Sequence, residues 1–476
     1  MKLAKNHKIH LLVSAAAFVL LQFIIPVQFG LTDAGKTFLC IFIPLVYLWI
    51  TVDTFIPSFL ALTLFGVLQV TKSSALFQGT FGNATVAIFL FANVMINLAR
   101  ECGVMKKIAL WFLSRRITAG HPFVFLFLLA LANFVLGALL TNAYSLMITI
   151  PLVFSICESL DSRRGERFYI AVFLVSMWAS LGGGIAFPFA KSIYLSLNAA
   201  TEGFGITISY ARVILMGLPV GFIWMLCGLP VVKYVLRPDF TKFKAYDPAV
   251  IRAELQASPM DRRAKFATWG FFIMTFVWSL TVFSGVFGFA KYLNTIGFHI
   301  ISCVVIAVLC LIQVEGQPVI NLRKAIPALN WPVIGFLAVI MFTSSAMNSA
   351  EYGIKEFLIT LLSPVLSGVS PAMLIIIGIC LAALLTNLMS NNVTVVVVVS
   401  VFAPLLLAIP GVSTASIMSF CLATCIAAGM SCITPAAFPG APLVLGEHVS
   451  VKESYLASSV MVVIGAIICC VASFIF

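Results

Sequence analysis

Two short polar clusters interrupt long apolar stretches of this 476-residue chain: Thr141-Asn142-Ala143-Tyr144-Ser145 and, 249 residues later, Ser390-Asn391-Asn392-Val393-Thr394. Amides and hydroxyls at bilayer depth are costly unless they meet a partner, a cavity or a ligand. Matching clusters in corresponding halves of a chain point to one shared site built from both. Thr141, Asn142, Ala143, Ser390, Asn391, Asn392 and Thr394 are therefore expected to hold a substrate, with Asn142, Ser145 and Asn391 helping to ligate a cation. A second register stays open, because Ala138-Leu139-Leu140-Thr141-Asn142 is matched by Ala383-Leu384-Leu385-Thr386-Asn387 at an offset of 245, making Asn387 a rival counterpart of Asn142.

A polar cluster can act only beside groups that free backbone atoms or carry charge. Ser180-Leu181-Gly182-Gly183-Gly184-Ile185-Ala186-Phe187-Pro188 and Ala428-Gly429-Met430-Ser431-Cys432-Ile433-Thr434-Pro435 each follow one cluster, with their prolines 247 residues apart. Glycine and proline there should unwind the helix. Carbonyls near Gly182, Gly183 and Gly184, and near Gly429 and Ser431, would then coordinate sodium, while half-helix amino ends face an anion. A kink for close packing explains one such helix, but two in matching positions favour a site. Pro188, Thr434 and Pro435 join the expected substrate set. So does Lys191, an ammonium just beyond the first break. It could pair with a substrate carboxylate, stand in for a coupling sodium, or snorkel to water.

The elements that position these residues follow from hydropathy. Hydrophobic residues make up 62% of the chain and charged residues 9%, with a mean hydropathy of +1.13. That composition predicts an all-α polytopic protein of the lipid bilayer. Apolar runs of about 20 residues give eleven transmembrane spans, near 9–29, 37–52, 54–71, 84–100, 166–198, 209–236, 266–288, 294–313, 330–348, 413–446 and 452–475. The segments 122–158 and 371–408 are too long for one helix and carry a polar cluster in the middle. They read as re-entrant hairpins, tolerated where the tip is buried or lines water. With the N-terminus cytoplasmic, 22 of the 28 Lys and Arg lie in inside segments and five opposite, a strong positive-inside bias. The polar stretch 237–265, with Pro238, Pro248 and Pro259, reads as a cytoplasmic linker between a first repeat (1–236, spans 1–6) and a second (266–476, spans 7–11). The hairpins open to opposite sides, so the repeats are inverted. The chain is expected in the cell inner (plasma) membrane.

The net charge of +12 would suggest nucleic acid in a soluble protein, but here it orients loops, and no nucleic-acid partner is expected. The twelve Cys lack CxxC pairing and read as small buried hydrophobes. The five His are scattered without metal spacing, and no cofactor is expected beyond sodium. Asp53 reads as a helix cap ahead of a proton relay. The start of the chain has no cleavage site and reads as the first span. A membrane-embedded enzyme would need clustered His, Asp, Glu or Cys, which the sequence does not offer. A channel built from half-helices is a closer rival to a carrier.

These motifs resemble, over nearly the whole length, those of the divalent-anion/sodium symporters of the ion-transporter superfamily, which carry Ser-Asn-Thr at two hairpin tips. Here Thr141-Asn142-Ala143 and Ser390-Asn391-Asn392 stand in those places, and Pro151, Ser180 to Gly184, Met216-Gly217-Leu218-Pro219 and Thr434-Pro435 are also similar. The resemblance favours the 249-residue register. It implies a homodimer with elevator-type movement that couples sodium to uptake of a dicarboxylate, tricarboxylate or sulfate; a sodium-independent anion exchanger is the alternative. Two departures stand out. The third tip residue is Ala143 or Asn392 instead of Thr, and the family's Pro-Pro-Asn after each break is replaced by Pro188-Phe189-Ala190-Lys191 and Pro435-Ala436-Ala437-Phe438.

Overall fold

The computed structural model describes all residues except 1–4, 54, 189–190, 203, 258–259, 282–286, 355, 358–359, 362–368, 435–437, 439 and 446–447. Its described residues form a polytopic helical protein whose strands are one short pair, Gln313–Val314 with Gln317–Pro318. Seven helices are long and apolar enough to cross a bilayer: His7–Ile24, Ala84–Glu101, Pro122–Leu139, Arg167–Ala186, Tyr210–Leu236, Asn391–Ala408 and Val451–Ile475. Shorter apolar helices stand at other expected spans, including Phe55–Val67, Phe298–Leu311, Trp331–Met347 and Thr414–Gly429. Large apolar side chains such as Phe23, Leu311 and Ile475 remain exposed, as lipid-facing residues do.

The first polar cluster sits where Pro122–Leu139 turns into Asn142–Ser159. Helix Pro122–Leu139 runs alongside Arg167–Ala186 in the same direction. At their amino ends Phe123 and Phe168 both pack on Phe240, with ring centroids 5.1 and 6.1 Å away. At their carboxyl ends a Cβ on Gly137 would fall on the backbone of Ser180, and one on Gly183 on the Phe134 carbonyl. The arm Asn142–Ser159 returns to the starting face, where residues 160–166 lead into Arg167. Segment 122–159 therefore enters and leaves on one face.

The second half is built alike. Helix Pro371–Leu385 lies along Thr414–Gly429, with Gly378 against the Phe420 ring and the Thr386 hydroxyl donating to the Ala428 carbonyl at 2.6 Å. The two units meet at the carboxyl ends of their long helices, where a Cβ on Gly429 would lie 2.5 Å from Ile185 Cγ2. The tips differ in length. Two residues, Leu140 and Thr141, join the first pair of arms, and five, Thr386 to Ser390, join the second.

The breaks depart from expectation. Gly182, Gly183 and Gly184 stay helical; the helix continues to Ala186, and the next helix described is Ser192–Glu202. These glycines serve closeness instead of unwinding, because the hairpin and Tyr210–Val231 press on them: a Cβ on Gly182 would lie 2.8 Å from the Gly221 carbonyl. In the second half the helix ends at Gly429, and only a 3₁₀ turn, Ala441–Leu443, is described before Val451. Within the expected span 413–446 the described residues thus hold one α-helix, Thr414–Gly429, and that 3₁₀ turn.

The linker is docked, not slack. Helix Ala249–Ala257 lies on Val104–Leu113 with Lys106 and Glu254 2.7 Å apart. Phe243 and Tyr246 pack their tilted rings on Phe125, and Lys242 reaches Glu166 at 2.9 Å. The Lys242 ammonium, hydrogen-bonded to Glu166, holds that carboxyl below its usual range. A carboxyl whose folded value is lowered stabilises the fold above its ordinary range, and the contribution fades as pH falls through the lowered value. Lys242→Gln should therefore cost a small amount of thermal stability at pH 7, since the pair is partly exposed. The gap from wild type should close on acidification toward pH 3; a gap constant with pH would remove the pair from the account.

Candidate functional site

Both tips open on one cavity of about 640 Å³. Thr141, Asn142, Ala143 and Tyr144 line it from the first hairpin, and Ser390, Asn391 and Asn392 from the second. Gly184, Ile185 and Gly429 line it from the long-helix ends, and Lys191, Ser192 and Ile193 from just past the first break. Four helices begin here: Asn142–Ser159, Ser192–Glu202, Trp331–Asn348 behind its cap Asn330, and Asn391–Ala408. Each amino end carries a partial positive charge and free N–H groups, so the cavity favours an anion.

The two Asn of the tips occupy equivalent places. Asn142 follows the cap Thr141 and Asn391 follows Ser390, each at the first position of a return arm. Asn387 lies in the tip turn away from the lining; its Oδ1 accepts from the N–H groups of Cys432 and Ile433 at 3.1 and 3.0 Å, which ties the tip to the chain after Gly429. The Asn142 carbonyl accepts from the Ser180 hydroxyl at 3.2 Å, while its Oδ1 is buried with no partner among the described residues. A Cβ on Gly184 would collide with that amide, so glycine at 184 makes room for it. Asn392 donates to the Ser192 hydroxyl at 3.1 Å and likewise leaves its Oδ1 unpaired. Buried amide oxygens without donors are uncommon and costly, and two at one cavity mark places for a ligand.

At the second tip Asn391 Oδ1 lies 3.0 Å from the Thr386 hydroxyl and 2.9 Å from the Ser431 hydroxyl, and Thr386 is also 2.6 Å from the Ala428 carbonyl. Four oxygens share two hydroxyl protons, a donor-poor cluster that suits a hard cation. The first tip holds a different arrangement. Lys191, only 6% exposed, donates to the carbonyls of Gly137 and Leu140.

Other expected site residues lie off the cavity. Ser145 is buried and donates to the Asn133 carbonyl at 3.4 Å. Gly182, Gly183, Pro188 and Thr394 are buried behind the lining, with the Thr394 hydroxyl lacking a partner among the described residues. Ser431 reaches the site only through Asn391, and Thr434 donates to the Asn387 carbonyl at 2.5 Å. Pro435 lies outside the described residues. Asp53 accepts from the N–H groups of Phe55 and Ile56 at 2.7 and 2.8 Å, as a cap does, yet it also touches the cavity. Asn93 and Asn330 were missed, although Asn93 sits in an apolar span and could have been found by the rule that found Asn142. Tyr144, with Arg100 4.6 Å over its ring, carried no such signal. No group of three or more His, Cys, Asp or Glu stands close enough to hold a metal among the described residues.

Amide-bearing tips, helix amino ends and a central cavity within an apolar helical body define a membrane transporter. The fold is similar to that of the Alcanivorax borkumensis YdaH transporter, with a TM-score of 0.58 and 15% identity over 92% of this chain and 98% of that one. It is also similar to Neisseria gonorrhoeae MtrF, reported with a class of antimetabolite efflux pumps, with a TM-score of 0.57 and 15% identity over 85% and 84%. A family model described as citrate transporter (CitMHS) matches residues 39–425, and the chain belongs to that family. No curated protein matches it.

Proposed function

We propose that the protein is a secondary active carrier of a small carboxylate anion of the citrate class, bound between the two hairpin tips. One observation carries this reading: both tips and four helix amino ends, with their partial positive charge, open on a single cavity. A carboxylate would take the N–H groups of the return arms and the amides of Asn142, Asn391 and Asn392, with Thr141 and Ser390 beside it. Sodium is the proposed coupling ion, held at the second tip by Thr386, Asn391, Ser431 and the Ala428 carbonyl. The likeness to divalent-anion/sodium symporters supports elevator-type movement of each hairpin with its long helix, inverted repeats and a homodimer in the plasma membrane. A sodium-independent exchanger is the second reading, favoured by the lysine already seated at the first tip.

Purified protein in proteoliposomes, offered labelled citrate, succinate and sulfate under imposed gradients, tests this. Saturable citrate uptake that rises with external sodium at fixed membrane potential is expected. Uptake that needs internal anion and ignores sodium would select the exchanger, and non-saturating flux would select a channel.

A further inference from the structure

Resting on that reading, we propose that Lys191 is a permanent, tethered cation at the first hairpin tip, so that this half of the carrier takes no cation from solution. The need for a cation there follows from tip length. In the five-residue second tip, backbone N–H groups satisfy the carbonyls of the first arm: Thr386 donates to Ala382 at 3.0 Å, and Leu388 and Met389 to Leu385 at 2.9 and 3.0 Å. In the two-residue first tip the Leu140 N–H reaches the Leu136 carbonyl at 2.8 Å, and the carbonyls of Gly137 and Leu140 accept instead from Lys191. The carbonyls at the carboxyl end of Pro122–Leu139 therefore collect at a negative helix end inside an apolar surround, where leaving them unmet is costly.

Lys191 meets this need from the other side of the junction. Lys191 lies past the end of the long helix at Ala186, and its ammonium reaches back to the Gly137 and Leu140 carbonyls. It is 94% buried and has no carboxylate partner among the described residues, since the salt bridges all lie elsewhere. A free ion in that place would be ligated by the same oxygens. An ammonium bears the same unit charge and has three N–H donors, two of which are used here. The position three residues past Pro435 is Phe438, which carries no charge. The carbonyls of the two tips are thus met differently: by a tethered ammonium in the first half and by backbone N–H groups in the second.

Chemical rescue tests the assignment. Lys191→Ala empties the place of the ammonium, and its uptake should fall at least tenfold and return when ammonium or methylammonium replaces choline at constant ionic strength. Lys191→Met fills the same place with a methyl group and should be equally impaired but not rescued. A readout independent of transport is the melting temperature in detergent, which should rise with ammonium for the Ala variant and not for wild type or Met. That arm stands even if citrate proves not to be carried, and so separates this inference from the proposed function. Failure of ammonium to change either uptake or melting temperature in the Ala variant overturns the tether. So does Lys191→Met with wild-type uptake, which would leave the lysine a snorkelling side chain. Should the Ala protein aggregate when prepared with and without ammonium alike, the proposal also fails, because an occupied site would be expected to restore the fold.

Discussion

Asn142→Ala and Asn391→Ala are each expected to reduce anion uptake to background while leaving a folded protein in the membrane. The two side chains stand at the first position of their return arms and face the same cavity, so each supplies contacts the other cannot replace. Hydrogen bonds to a charged group are worth about 1.5–3 kcal/mol, or on the order of ten- to a hundredfold in affinity. At the second tip the loss is compounded, because Asn391 also gathers the Thr386 and Ser431 hydroxyls. Asn387→Ala gives the contrast. It removes the strut to Cys432 and Ile433 and should lower thermal stability more than substrate affinity. Labelled uptake with melting curves in detergent separates these cases. Normal uptake in both Asn142→Ala and Asn391→Ala would sink the shared site.

The second large effect belongs to Gly183. A methyl group there would fall on the Phe134 carbonyl and within 2.9 Å of the Ala138 amide, and backbone cannot yield as a flexible side chain can. Overpacking a close helix contact costs about 1–3 kcal/mol, and more where backbone must move. Gly183→Ala should therefore lie at or above the top of that range and separate the hairpin from its long helix. Gly184→Ala differs in kind, since its methyl meets the Asn142 amide. That variant should fold and lose uptake. A melting temperature for Gly183→Ala within a degree of wild type would contradict the close parallel pairing of the two helices.

Much of this was legible in the sequence because the bilayer simplifies the code. Apolar runs of spanning length marked the helices, and amides inside them marked the tips, since such groups at depth need a reason. The positions of Asn142, Asn391, Asn392 and Lys191 at one cavity agree with that logic. The glycines misled for a physical reason. Gly182 to Gly184 look like a helix breaker, but a membrane helix keeps its backbone bonds where lipid and neighbours offer no others, so the missing side chains were spent on approach instead. For Lys191 the sequence left three roles open and did not single out its partners, because the carbonyls it meets lie 51 and 54 residues away and expose no side-chain signal. The docked linker was hidden likewise: prolines and charges announced a spacer, while Phe240, Phe243 and Tyr246 carried the contact.

The unequal tips, two residues against five, have a pharmacological consequence. A blocker wedged beneath Thr386 to Ser390 meets hydroxyls and amides, and competes there only with an exchangeable ion. One wedged beneath Leu140 and Thr141 must compete with an ammonium whose local concentration is fixed by its own chain. Resistance to such blockers should therefore map to residues 386–392 more often than to the shorter loop.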